Sequence, residues 1–198
     1  MRKISCLFLG LFLFTTTMNA QEVDSELLEA AYWDIGIEYG FDAGLGGNIG
    51  YTNLGVDTGR FSHGSISFLY KDDGIDRWGK DYTGTIGYNQ FPEEIVDEGY
   101  SYLTGSLLLG LKIAKEIHLL GVAGYKKATF IQKRFNESTI LSPDGKYYSE
   151  FSDTDKDGIG AGLGVKFFLP LSNNVALTPT VQATTLKGIS LSVGLAFN

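Results

Sequence analysis

The sequence is poor in cysteine and in long apolar runs. Its one cysteine, Cys6, lies near the N-terminus, and the chain has only four prolines and two histidines among 198 residues. Without cysteine pairs the chain can form neither a disulfide framework nor a zinc site built from thiolates. Beyond residue 20 no apolar run approaches the about 20 residues that a transmembrane helix needs. Disulfide-stapled scaffolds and bundles of membrane-spanning helices are therefore excluded.

Positive charge is also scarce. The chain has 16 basic and 23 acidic residues, which gives a net charge of −7. Because surfaces that bind nucleic acids are rich in Lys and Arg, this balance argues against a nucleic-acid partner. Glycine is abundant instead, with 26 residues, well above its usual share of about 7%. Aromatic residues are plentiful, so disorder does not explain the glycine.

The N-terminal 20 residues have the three regions of a secretory signal peptide. A basic start at Arg2 and Lys3 is followed by the apolar run Ile4 to Phe14 and by the small and polar residues from Thr15 to Ala20. This order predicts a signal peptide over 1–20, with cleavage after Ala20. A retained membrane anchor is the alternative. We expect 21–198, about 178 residues, to form one domain.

Apolar residues alternate with period two along most of the remaining chain. In the last strand the apolar face consists of Ile189, Leu191, Val193, Leu195 and Phe197. Such alternation over about ten residues predicts strands with one apolar face. Nine segments show it, in the ranges 32–42, 46–56, 61–71, 81–90, 99–114, 117–134, 157–171, 175–186 and 189–197.

The less apolar face of these segments distinguishes a membrane barrel from a soluble β-protein. It is composed mostly of Gly, Ser, Thr and Ala, whereas the water face of a soluble sheet is rich in Lys and Glu. Small polar residues suit the interior of a narrow barrel whose apolar face contacts lipid. We therefore expect an all-β fold, a single antiparallel up-and-down transmembrane β-barrel.

The strand number and the connections are predicted less directly. Bacterial single-chain barrels have even strand numbers, and segment 46–56 has the least regular phase. Eight strands are expected, with ten as the alternative. Tight turns at Lys115-Glu116 and 171–174 suit the periplasmic side, and the polar stretch 136–156 suits the outside. Aromatic girdles are predicted from residues near the segment ends: Tyr32, Trp33, Tyr82, Tyr88, Tyr100, Tyr102 and Tyr125.

The signal peptide, the Gly-rich alternating strands and the C-terminal Ile189-Ser-Leu-Ser-Val-Gly-Leu-Ala-Phe197-Asn198 resemble the outer-membrane β-barrel families of Gram-negative bacteria. These include the OmpA membrane domain, OmpX and the small porin-like barrels of Bacteroidota. The resemblance implies location in the cell outer membrane and contact with its lipid. It also implies that the barrel assembly machinery reads the last strand, which in such families commonly ends in an aromatic residue. Here Phe197 is followed by Asn198.

Four charged residues fall on the small-residue face of their strands. Asp34 and Glu38 share one strand, and Lys112 and Lys166 lie on two others. Because a charge facing lipid costs a few kcal/mol, we predict that these four side chains form a charge network in the lumen.

The sharpest local motif is Asp153-Thr-Asp155-Lys-Asp157-Gly158. Carboxylates at alternate positions followed by Gly match the first half of an EF-hand calcium loop. The twelfth position is Gly164 instead of the bidentate Glu, so a solvated acidic loop is the alternative. Calcium is thus a candidate ligand at Asp153, Asp155 and Asp157, and no other cofactor is expected.

The histidines and the connections bear on function. His63 lies near Ser62 and Ser65, and outer-membrane lipid A deacylases and palmitoyltransferases use a histidine with a serine. No acid is placed beside either His63 or His118 by the sequence, so no catalytic triad is predicted and we expect no enzyme.

The expected role is structural, or interaction through extracellular loops. A porin-like channel for small solutes and a soluble periplasmic ligand-binding β-barrel are the alternatives.

Overall fold

The computed structural model describes residues 31–75, 85–86, 94–135, 146–172 and 174–198, and the predicted signal peptide lies outside this part. None of the described residues belongs to a helix long and apolar enough to cross a membrane. The strands are β1 (Ala31–Gly40), β2 (Gly44–Asn53), β3 (Phe61–Asp73), β4 (Thr85–Ile86), β5 (Glu94–Ala114), β6 (Ile117–Phe135), β7 (Lys146–Ser152), β8 (Gly158–Phe167), β9 (Leu169–Ser172), β10 (Val175–Leu177), β11 (Thr180–Thr184) and β12 (Gly188–Phe197).

Eight strands close into an antiparallel ring. The order is β1, β2, β3, β5, β6, β8, β11 and β12, and β12 pairs again with β1 from Trp33↔Phe197 to Gly40↔Ser190. Strand β9 continues β8 beyond Phe168, and β10 precedes β11 across a break at Thr178 and Pro179. Proline cannot donate to a ladder, but the break keeps two backbone bonds, from Thr178 N to Gly194 O at 2.8 Å and from Phe167 N to Pro179 O at 2.9 Å. The prediction of an eight-stranded barrel is confirmed, and the ten-strand alternative is wrong.

Two segments differ from expectation. Segment 46–56 contains β2, a regular member of the ring that pairs on both sides with β1 and β3. The surplus segment is 81–90, of which only Thr85 and Ile86 are described, and they pair in parallel with β7 outside the ring. The stretch 136–156, expected to be a loop, contains β7, which adds a third strand to the extended β5–β6 hairpin.

The barrel is apolar outside and polar inside. Outward side chains such as Ile37 (68% exposed) and Val193 (48%) lie open, whereas Glu38 and Ser190 are fully buried. A soluble protein would not leave a continuous apolar belt in water. A barrel in lipid requires one, because its outward side chains contact hydrocarbon. The chain is therefore a transmembrane barrel of the outer-membrane kind.

The two rims of the barrel differ. The terminal rim carries the start of β1, the end of β12, the turns 54–60 and 115–116, and Asn174 before β10. The distal rim carries the short turns 41–43 and 185–187 and the surface sheet, which is the part of β5, β6 and β7 that extends beyond the ring. Since barrels have long connections outside and short turns inside, we expect the terminal rim to be the periplasmic one.

Aromatic residues at the rims match the girdle prediction in part. Trp33 packs edge-on against Tyr51 at the terminal rim, with ring centroids 5.3 Å apart, and Tyr39 packs against Phe41 at the distal rim. Tyr32 was expected in a girdle but is 1% exposed and points inward. Consecutive strand residues face opposite sides, so Tyr32 and Trp33 cannot both contact lipid. Tyr82 and Tyr88 lie outside the described residues.

Candidate functional site

Charged and hydrogen-bonding side chains fill the barrel interior. Asp34, Glu38, His63, His118, Lys166 and Lys187 are all buried there. Buried charges are expensive unless they are paired and hydrogen-bonded. The function of the lumen therefore depends on the ion-pair and hydrogen-bond partners of each buried group.

The first lumen ion pair joins β1 to β8. Lys166 Nζ donates to Asp34 Oδ1 at 2.7 Å, and Thr52 Oγ1 donates to Asp34 Oδ2 at 3.4 Å. Room for this cluster depends on Gly50, because a Cβ at that position would lie 2.6 Å from Ser65 Cβ. The pair is therefore enclosed on β1, β2 and β8 and shielded from water.

The second lumen ion pair lies toward the distal rim. Lys187 comes from the turn between β11 and β12, and its Nζ donates to Glu38 Oε1 at 2.8 Å and to Ser67 Oγ at 2.7 Å. Ser190 Oγ donates to the same carboxylate oxygen at 3.0 Å. Gly188 follows with φ of +63°, a backbone conformation that favours glycine. The long aliphatic side chain of Lys187 thus places its ammonium group in the interior, although its backbone lies at the rim.

The predicted four-residue network is divided in the structure. Asp34 and Lys166 lie together, but Glu38 contacts Lys187 instead of a predicted lysine. Lys112 contacts neither acid and donates to the backbone oxygens of Leu54 and of Val56, the latter at 2.9 Å. The functional role of the network stays a proposal.

The histidines are hydrogen-bonded to lumen hydroxyl groups. A register shift between Phe61 and His63 lets the consecutive side chains of Ser62 and His63 both point inward. His63 Nε2 lies 2.9 Å from Ser65 Oγ, and His118 Nδ1 lies 2.7 Å from Ser62 Oγ. These contacts satisfy the ring nitrogens involved, whereas His118 Nε2 is buried without a hydrogen-bond partner among the described residues.

No acid was predicted beside His63, but the structure places Asp34 Oδ2 3.9 Å from its Nδ1. Thr52 Oγ1 is closer, at 2.8 Å, and Asp34 is held by Lys166. Ser65 is 7% exposed, whereas a nucleophile needs room for a reacting carbonyl. The three residues therefore resemble a triad in composition but lack an accessible nucleophile.

An apolar cluster closes the lumen at the terminal rim. Tyr32 and Phe168 meet edge to face with ring centroids 4.8 Å apart, and Leu54, Ala176 and Ala196 complete the cluster, all at most 1% exposed. We call this group the rim plug. Its members were not predicted, because Phe168 and Leu54 lie at breaks between strands, where period-two alternation is lost.

The surface sheet carries aromatic rings with cations above them. Tyr100 stacks on Tyr102 at 6.0 Å between centroids, Lys156 Nζ lies 3.4 Å from the Tyr100 centroid, and Lys126 Nζ lies 5.1 Å from that of Tyr102. Cation–π contacts of this kind order long lysine side chains. The sheet therefore presents an ordered surface beyond the membrane.

The candidate calcium ligands take part in other contacts. Asp157 Oδ1 accepts from Ala128 N at 2.7 Å and its Oδ2 accepts from Tyr125 Oη, and these bonds lower the pKa of Asp157. Asp153 accepts from Tyr100 Oη at 3.1 Å. Among the described residues no three His, Cys, Asp or Glu side chains are grouped to hold a metal ion. Calcium binding at Asp153, Asp155 and Asp157 stays a hypothesis.

Comparisons with known proteins add structural similarity. No family model matches the chain, and no curated protein matches it significantly. The chain is similar to the attachment invasion locus protein Ail of Yersinia pestis, at 12% identity over 84% of this chain and 93% of that one, with a TM-score of 0.43.

Two further barrels are similar. A major outer membrane protein from Thermus thermophilus has 17% identity over 85% of this chain and 98% of that one, with a TM-score of 0.44. The N-terminal β-barrel domain of Pseudomonas aeruginosa OprF has 13% identity over 85% and 96%, with a TM-score of 0.31.

Proposed function

We propose that the chain is a non-enzymatic outer-membrane barrel that is closed to solutes and acts through its surface sheet. The filled lumen is the observation that carries this proposal. An eight-stranded barrel has an interior just wide enough for side chains. Here two ion pairs and the rim plug occupy it at successive depths.

A porin-like channel is the less favoured alternative. Such a channel needs an aqueous path, which larger barrels provide. Ions entering from the periplasm would meet Tyr32 and Phe168, and ions entering from outside would meet Lys187 and Glu38. Both paths end at groups that are at most 1% exposed.

Conductance tests the closed lumen. In a planar lipid bilayer the purified barrel should show no steady channel current. Substitution of both Tyr32→Ala and Phe168→Ala removes the rim plug, and we expect brief openings only in that variant. A steady current from the unmodified barrel, at the same protein density, would contradict the proposal and favour the porin-like alternative.

Protease treatment of intact cells tests which rim is outside. Lys156 and Lys115 are both exposed lysines in turns, the first beside the surface sheet and the second at the terminal rim. Trypsin added to whole cells should cut after Lys156 and leave the bond after Lys115 intact, whereas lysed cells should lose both. Cleavage after Lys115 in intact cells would reverse the orientation and remove the surface sheet from the outside.

The last strand supports assembly by the outer-membrane machinery. Strand β12 pairs with β1 along the closing seam, and Phe197 is exposed on the outward face. Strand β12 is the last to be delivered and pairs with β1 only when the seam closes. Until then its terminal aromatic ring is available for recognition. We include the barrel assembly machinery among the proposed partners for this reason.

A further inference from the structure

The outward face of β6 contains an apolar groove, which we call the β6 groove. Gly121 and Ala123 form its floor, Leu109 of β5 forms one wall, and Leu163 of β8 forms the other. Its volume is about 460 Å³, and Phe61 borders its end near the terminal rim. The groove opens toward lipid because all these side chains share the outward face of the barrel.

The fold itself does not require glycine at position 121. A Cβ there would have its nearest neighbour, Leu109 O, at 3.9 Å. The lumen glycines differ, since a Cβ at Gly162 would lie 2.1 Å from Ala183 O. Glycine within a strand costs stability and often marks a close approach by a ligand or another backbone. Gly121 therefore keeps the groove open toward something outside the barrel.

We infer that the β6 groove binds one acyl chain of a phospholipid in the periplasmic leaflet. This inference rests on the proposed position of the barrel in the outer membrane. The groove walls belong to β5 and β8, the two neighbours of β6. The backbones of these two strands are therefore about 10 Å apart. Leucine side chains narrow that gap to the width of one hydrocarbon chain. A strand of a second barrel, with side chains of its own, is too broad to enter.

The charges at the end of the groove fit a phospholipid headgroup. The groove runs toward the terminal rim, where Arg60 and Asp57 form an exposed ion pair at 3.6 Å. Arg60 is joined to the end of β5 because Lys112 N donates to its carbonyl oxygen at 3.0 Å. The turn 115–116 adds Lys115 and Glu116. One cation and one anion at each position complement the phosphate and the ammonium of a zwitterionic headgroup.

Photocrosslinking tests the inference on the whole barrel. The protein is reconstituted into vesicles of phosphatidylethanolamine and phosphatidylglycerol that contain a trace of phosphatidylethanolamine with a diazirine in one acyl chain. We expect crosslinks at the β6 groove several-fold above those at Ile37 and Val193, because a chain between two leucine walls contacts more protein surface than a chain on the flat outer face. Gly121→Leu should remove this enrichment. Gly47→Leu, the same substitution at an outward glycine of β2, should leave it unchanged.

Three outcomes overturn the inference. Equal labelling around the belt means that the groove selects no lipid, and unchanged enrichment in Gly121→Leu means that the groove is not the site. A barrel dimer, measured by sedimentation in detergent, that disappears in Gly121→Leu assigns the groove to a second copy. Absence of labelling anywhere on the belt instead contradicts the membrane location, so failure of the proposed function is distinguishable. Heat-modifiable gel mobility verifies that each variant is folded.

Discussion

Substitution of Lys187→Met should lower the free energy of unfolding by about 3–5 kcal/mol, because it leaves the Glu38 carboxylate buried without its cation. The carboxylate is fully enclosed, and after the substitution only Ser190 and the more distant Gln182 amide can donate to it. Urea unfolding of the barrel in lipid vesicles, followed by tryptophan fluorescence, measures the loss.

The double variant Glu38→Leu with Lys187→Met distinguishes a lost ion pair from a general packing defect. Removing both charges together is often neutral or stabilising for a buried pair, so most of the stability should return. Asp57→Ala at the exposed Asp57–Arg60 pair is the control and should cost at most about 1 kcal/mol. If the double variant loses the sum of the two single losses, Glu38 and Lys187 are not energetically coupled.

Substitution of Gly46→Ala should prevent a stable barrel from forming, at a cost of at least about 3 kcal/mol. A Cβ at this position would lie 1.8 Å from Phe68 O and 2.7 Å from Leu69 Cα on β3. Both neighbours are backbone atoms, so no side-chain rotation relieves the overlap and the strands must separate. The folded fraction on a heat-modifiability gel, together with urea unfolding, measures the effect.

Gly121→Ala is the matched control for Gly46→Ala. It adds the same methyl group to a strand glycine, but the nearest atom is 3.9 Å away. Alanine should be tolerated there, with a gain of about 0.5–1 kcal/mol from the more restricted unfolded chain. Equal loss of folding in both variants would mean that alanine disturbs strand pairing generally, independent of the close approach at Gly46.

Strand alternation could be predicted from the sequence because the lipid belt imposes a period of two on every ring strand. This requirement is strongest at β12 and β8, where outward residues are large and inward ones small. This prediction fails for strands outside the membrane, where no lipid contacts the outward face. Strand β7 lies beyond the membrane, and its buried residues Tyr147, Tyr148 and Ser149 are consecutive, so Lys146–Ser152 shows no period-two alternation to detect.

Side-chain pairing was less predictable than strand orientation. Strand alternation predicts that Asp34 and Lys166 point into the lumen. The partner of Glu38, however, is Lys187, which lies in a turn where strand alternation does not apply. The signal for this contact in the sequence was the position of Lys187, directly before Gly188 in a three-residue turn. The distances across the ring between β1, β8 and β11 depend on strand tilt and shear, which a single sequence does not contain.

Both buried acids lie on the first strand, and their bases follow 132 and 149 positions later. A chain exported from its N-terminus therefore delivers two carboxylates long before either ammonium group. Until then the carboxylates must stay in contact with water, because burying them alone costs several kcal/mol each. Water can leave the interior only after the C-terminal strands arrive. Completion of the ring and drying of its interior are thus one event, and a barrel that lacks its last strands remains wet.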